Sequence, residues 1–204
     1  MDHQSSVKKG SIEVICGPMF SGKSEELIRR LRRVKIAKQE VIVFKPMLDT
    51  RRGIDRVSSH NGNHIEAIPI DETSLILTYV EQHNVQVIGI DEVQFFPHAI
   101  IPVICALVDS GKRILLAGLD LDFRGIPFGP IPVLLAIADH ITKLQAICTQ
   151  CGKDAHYTQR LVNHEPARFD DPIIQVGAQE AYQARCRNCY SIDKKPSFYE
   201  HNDQ

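Results

Sequence analysis

The stretch GPMFSGKS, residues 17–24, decides the fold. Its spacing fits G-x-x-x-x-G-K-[ST], a loop that holds phosphate. Each fixed letter has a chemical reason. Gly17 and Gly22 let the backbone turn tightly, so that several N–H groups point into one concavity. Lys23 adds a positive charge for the outer phosphates. Ser24 offers a hydroxyl to Mg²⁺, an ion that prefers oxygen ligands. An ordinary glycine-rich turn between a strand and a helix also produces so short a match, so the flanks matter. SIEVIC, residues 11–16, is short, apolar and β-branched, as a buried strand is. EELIRRLRRVKIAKQ follows, with Leu27, Ile28, Leu31 and Val34 at helical spacing. Strand, loop, helix is the arrangement the motif requires, with the helix N-terminus aimed at the anion.

The pattern continues downstream. VIVFKP (41–46) reads as a strand, and the polar 47–64 as a long loop. HIEAIPI holds a short strand. A helix is expected over 72–83, a strand over 85–90, and a helix over 98–110 with Pro102 in its first turn. RILLAGL (113–119) is a buried strand, 131–139 a helix, and 141–147 a strand. Strands alternating with helices predict an α/β fold, a parallel sheet with helices on both faces. Past residue 147 the alternation breaks into short polar strands, a loop and cysteines. The expected division is a lead at 1–10, an α/β nucleotide-binding domain at 11–147, a metal-binding domain at 148–192 and a tail at 193–204.

VIGIDE is the natural partner of the phosphate loop. An acidic residue at the end of a neighbouring strand holds Mg²⁺ in such proteins, and Asp91 fits that place. Glu92 follows it. Successive strand residues point to opposite sides, so one carboxylate serves the metal while the next faces another group. A Glu beside bound triphosphate is placed to take a proton from water or from a substrate hydroxyl. Two solvated acids at a strand end are the plainer alternative.

Of six cysteines, four form two pairs, Cys148-Thr-Gln-Cys151 and Cys186-Arg-Asn-Cys189. C-x-x-C twice is the spacing of a tetrahedral Zn²⁺ site. The interval 152–185 is longer than a compact zinc ribbon, so the ion is expected to tie the base of an extended loop. Four thiolates leave no open position for catalysis, which makes the site structural. Cys16 and Cys105 lie in apolar contexts and read as core.

Composition sets the remaining bounds. The 204 residues suffice for one good core plus an appendage. Net charge is −1, so no overall field draws the chain to nucleic acid or membrane. The basic run RRLRRVK reads as a solvated helix face. No run of 18 apolar residues and no signal-peptide pattern appears, so a cytoplasmic location is expected.

Together these motifs resemble the type II thymidine kinases, the cytosolic family with a zinc-tied loop. The resemblance runs from about residue 12 to 190. It rests on GPMFSGKS, KPMLDTR (45–51), IDEVQFF (90–96), GLDLDFRGIPFG (118–129), CTQC, YTQR (157–160), VGAQEAY (176–182) and CRNCY, in that order. It implies a RecA-like domain plus a small zinc domain whose "lasso" loop closes over a nucleoside. It implies transfer of the ATP γ-phosphate to the 5′-hydroxyl of thymidine or deoxyuridine, with Glu92 as base. ATP contacts fall to Gly17, Pro18, Met19, Phe20, Ser21, Gly22, Lys23 and Ser24, with Asp49, Arg51, Asp91 and Gln94. Ser24 and Asp91 serve Mg²⁺; Cys148, Cys151, Cys186 and Cys189 serve Zn²⁺. Met19, Leu119, Phe123, Phe128 and Tyr182 match the nucleoside pocket. Ile173, Ile174, Gln175, Val176 and Gly177 match the segment whose backbone reads the base. Homotetramers and feedback inhibition by thymidine triphosphate are common in the family.

Two positions depart from the family pattern. Gly177-Ala178 stands where Gly-Gly is usual, and Val93 where a small residue or Cys is usual. Phe95 and Phe96 read as plain core. Two other functions fit parts of the pattern: a RecA-like ATPase gripping nucleic acid through a zinc ribbon, and a nucleotide sensor without catalysis. Against the first, 152–185 carries charges of mixed sign rather than a basic stripe. The second needs no carboxylate at Glu92.

Overall fold

A computed structural model describes residues 9–47, 56–58, 64–173 and 180–194. The elements of the larger lobe are β1 (Ser11–Cys16), α1 (Lys23–Ile36), β2 (Val41–Pro46), β3 (Arg56–Ser58), β4 (His64–Glu66), β5 (Ile68–Ile70), α2 (Leu75–Gln82), β6 (Val87–Ile90), α3 (Ile100–Asp109), β7 (Arg113–Gly118), α4 (Ile131–Ile137) and β8 (His140–Lys143). Six of the strands form one sheet in the order β5-β2-β6-β7-β1-β8, and every pairing is parallel. The expected alternation is therefore real, and its cause is visible in β7. Ile114 and Leu116 face one side, with α2, α3 and α4; Leu115 and Ala117 face the other, with α1. A strand covered on both faces is largely apolar, which is why β6 and β7 beyond Arg113 read as continuous apolar runs. Pro102 lies in the first turn of α3, where the missing N–H costs nothing.

Two expectations need correction. The loop over 47–64 contains β3, which pairs antiparallel with β4 as a short hairpin. The run 141–147 is not one strand. β8 ends at Lys143, and the chain then leaves the sheet: β9 (Ala146–Ile147) pairs with β10 (Asp154–Ala155) instead. Leu144 marks the break, its N–H donating to the Cys16 carbonyl at 2.8 Å. The alternating run ITKLQAI hides such a change of partner, because both sheets ask for the same alternation.

The smaller lobe adds β11 (Tyr157–Val162), β12 (Glu165–Pro166) and β13 (Glu180–Arg185), an antiparallel sheet in the order β12-β11-β13. Its core is Ala146, Cys148, Ala155, Ala184 and Cys186, all small. Cys16 is fully buried in the sheet, whereas Cys105 is only half-buried. Two arginines of the basic run on α1 are paired within the protein. Arg29 and Arg30 both bind Glu26, and Arg30 and Arg113 both bind Glu13. No described helix is long and apolar enough to cross a membrane.

Candidate active site and metal centre

The phosphate loop joins β1 to α1 at the C-terminal edge of the sheet. Gly17 has φ +142° and Gly22, at the helix start, φ +84°. A Cβ on Gly17 would lie 2.4 Å from the Leu144 carbonyl oxygen, so the position has neither the angle nor the space for a side chain. Gly17→Ala is expected to cost at least about 2 kcal/mol of stability, read as a lowered midpoint in thermal melts. Phe20 also takes a left-handed conformation, φ +67°, without glycine's freedom. Such angles concentrate where a backbone is held for function. Pro18 is the hub of the loop: its carbonyl accepts from Ser21 Oγ and from Lys23 Nζ, each at 2.8 Å.

Lys23 is 9% exposed. Burial lowers its pKa, and the nearby charges of Glu92, Asp91 and Asp120 oppose that effect. The ammonium thus lies among three acids contributed by the ends of β6 and β7. Ser24 Oγ donates to Asp91 Oδ2 at 3.0 Å, and the Glu92 N–H donates to Asp91 Oδ1 at 3.0 Å. Burial, and then the adjacent Glu92 charge, push the Asp91 carboxyl well above the ordinary carboxylate range. A hydroxyl and two carboxylates side by side, short of positive charge, are a donor set that fits Mg²⁺.

Glu92 is aimed differently from Asp91, but strand alternation is not the cause. β6 ends at Ile90, and Glu92 lies beyond it with φ +51°, opening a 3₁₀ turn over Val93–Phe95. The left-handed kink redirects the side chain. Val93, the departure from the family pattern, is fully buried in the sheet core.

The candidate nucleoside residues gather around the β7–α4 connection. Asp122 accepts from the backbone N–H of Arg124 and Ile126, which shapes the turn that carries Phe123. Phe123 is buried, and the Arg160 guanidinium carbon lies 5.1 Å from its ring centroid. Arg160 on β11 stands opposite Tyr182 on β13, so the two side chains share a face. Phe128 packs edge-to-face on Phe95 at 5.3 Å. Phe95 is thus half-buried beside a candidate pocket residue, and of the two phenylalanines Phe96 is the core one. Leu119 is half-buried beside this turn. Met19 joins the set through its N–H, which donates to Thr158 Oγ1 at 3.0 Å and so pins the phosphate loop to β11. Ile173 is exposed. Asp49, Arg51, Ile174, Gln175, Val176, Gly177 and Ala178 lie outside the described residues.

Sequence reasoning left Thr158, Arg160 and Tyr190 without roles. Thr158 and Arg160 were visible only as part of the YTQR signature. The Tyr190 hydroxyl donates to the Phe123 carbonyl at 2.7 Å, and its ring stacks on Tyr157 at 4.5 Å.

Tyr190 follows the last of the metal-type cysteines. The Sγ atoms of Cys148, Cys151, Cys186 and Cys189 all lie within 4.8 Å of one another. Tetrahedral Zn–S bonds place sulfurs about 3.8 Å apart; Cys151 and Cys186 Sγ are 3.6 Å apart. None of the four is in a disulfide. The cluster fits one structural Zn²⁺.

The sequence model of the family described as Thymidine kinase matches residues 10–190. That span takes in the phosphate loop, the Asp91-Glu92 pair, the β7–α4 turn and all four clustered cysteines. On these grounds the chain belongs to the thymidine kinase family, whose members are kinases.

Proposed function

We propose that the protein transfers the γ-phosphate of ATP to the 5′-hydroxyl of thymidine or deoxyuridine, a step in pyrimidine deoxynucleotide salvage. One observation carries this reading: Ser24 and Asp91 meet at 3.0 Å in the mouth of the phosphate loop, with Glu92 next in the chain. Phosphoryl transfer depends mainly on positioning and charge stabilisation. Lys23 and the loop amides from Gly17 to Ser24 neutralise the phosphates, assisted by Asp49 and Arg51. Ser24 and Asp91 would hold Mg²⁺, which would supply further positive charge to the phosphates. Glu92 orients the 5′-hydroxyl and takes its proton. Met19, Leu119, Phe123, Phe128 and Tyr182 wall the nucleoside, and the backbone of 173–177 reads the base while excluding water. The Zn²⁺ is structural. The protein is cytoplasmic, assembles as a homotetramer and is inhibited by thymidine triphosphate.

Backbone N–H and C=O groups read thymine through its carbonyl, N–H, carbonyl edge. Cytosine mismatches that edge at two points, each leaving a buried group unpaired at about 1–3 kcal/mol. A nucleoside panel with ATP and Mg²⁺, scored for monophosphate, should show thymidine strongly preferred over deoxycytidine and no purine product. Tyr182→Ala should raise the thymidine KM with a smaller effect on the ATP KM. Equal use of deoxycytidine would overturn the specificity account. ATP hydrolysis without nucleoside, together with salt-dependent DNA binding, would favour the nucleic-acid ATPase instead.

A further inference from the structure

Gln94 is 2% exposed, inside the 3₁₀ turn that follows Glu92. A buried amide needs partners at both ends. Its Oε1 accepts from the Leu119 N–H at 3.0 Å, and its Nε2 donates to Glu92 Oε2. The partners themselves fix the orientation. Reversing the amide would set N–H against N–H at Leu119 and oxygen against carboxylate at Glu92.

The surroundings are shaped to this side chain. A Cβ on Gly118, at the end of β7, would lie 2.6 Å from Gln94 Oε1. Gly129, just before α4, has φ +52°, and a Cβ there would lie 2.3 Å from the Gln94 carbonyl oxygen. Two elements therefore give up side chains where Gln94 passes. Glu92 meanwhile holds a left-handed backbone that a non-glycine residue rarely adopts. A strained residue stays in place only when its neighbours over-determine it.

We infer that Gln94 is a positioning residue for Glu92. Its amide occupies Oε2 of the carboxylate and leaves Oε1 as the oxygen that meets the substrate hydroxyl. Through Leu119 it also ties the carboxylate to the nucleoside wall, so that base and pocket keep one spacing. This rests on Glu92 acting as the base in the proposed transfer. It assigns Gln94 to the catalytic carboxylate rather than to ATP contact. A loosened base loses near-attack geometry while substrates still bind, so the effect falls on kcat rather than KM.

The test is steady-state kinetics of Gln94→Met, which keeps length and bulk but removes the amide. The expected result is a kcat about 10–100-fold lower, with thymidine and ATP KM each within about threefold. Gln94→Asn, one methylene too short to bridge both partners, serves where the Met variant does not fold, and should show the same split. In a Glu92→Gln background the Gln94 substitution should lower kcat no further. A kcat within threefold of wild type in a folded Gln94 variant overturns the inference. So does an undiminished effect in the Glu92→Gln background, or a loss confined to KM. Near-normal turnover in Glu92→Gln alone is a separate outcome. It removes Glu92 as the base, and the positioning role with it.

Discussion

Glu92→Gln is expected to lower turnover by about 10²–10⁴-fold, the range for loss of a general base. The substitution is nearly isosteric. Its carbonyl oxygen still accepts from Gln94 Nε2, the contact Glu92 Oε2 makes now. Its backbone N–H still caps Asp91 Oδ1. The geometry is therefore kept, and only the proton acceptor is lost. Thymidine affinity should change little, because the proposed pocket residues Leu119, Phe123 and Phe128 lie on a different connection, between β7 and α4. The measurement is kcat with saturating thymidine and ATP, alongside thymidine binding by calorimetry. Turnover near wild type would exclude Glu92 from catalysis. A parallel loss of binding would mean that the variant disturbed the pocket, not the proton transfer.

Removing the metal should unfold the smaller lobe and leave the parallel sheet intact. Among the described residues, the buried cluster of that lobe consists of alanines and cysteines. Alanine burial supplies little apolar area, so the lobe lacks a hydrophobic core of its own. A structural Zn²⁺ contributes about 10–16 kcal/mol to small domains built around it, and an ion on these four cysteines would replace that core. Cys148→Ser, or chelation of the wild type, should therefore release one Zn²⁺ per chain. Hydrogen exchange should rise sharply in β11 and β13. The amides of β1, β6 and β7 should stay protected, since large apolar side chains cover both faces of those strands. The damage should also reach the nucleoside pocket. Tyr190 follows Cys189 and holds the Phe123 carbonyl, and Thr158 holds the Met19 N–H. The thymidine KM should rise accordingly. Metal analysis that finds no zinc in freshly purified, reduced protein would end this account. Uniform loss of protection across both lobes would show that the zinc also supports the main sheet.

The residues readable in advance were those whose chemistry is local. GPMFSGKS declares a phosphate loop because neighbouring residues set its backbone angles. The two C-x-x-C pairs declare a metal because each knuckle brings two sulfurs together without help from the rest of the chain. The parallel sheet was legible in runs such as RILLAGL, since burial on both faces leaves the residues after Arg113 apolar. Partnerships across the fold were not readable. Gln94 meets Leu119 across 25 residues, Tyr190 meets Phe123 across 67, and Met19 meets Thr158 across 139. Nothing in the local sequence of Gln94 separates a buried clamp from a ligand contact, because the same amide serves both. Nor does the alternating run 141–147 reveal that Lys143 and Ala146 belong to different sheets. The sequence by itself determined the phosphate loop, the strand-end acids and the cysteine pairs, since adjacent residues suffice to form them. Only the tertiary structure decided what holds Glu92 and how the cysteine lobe reaches Phe123, since those hydrogen bonds form where separate strands and turns come together.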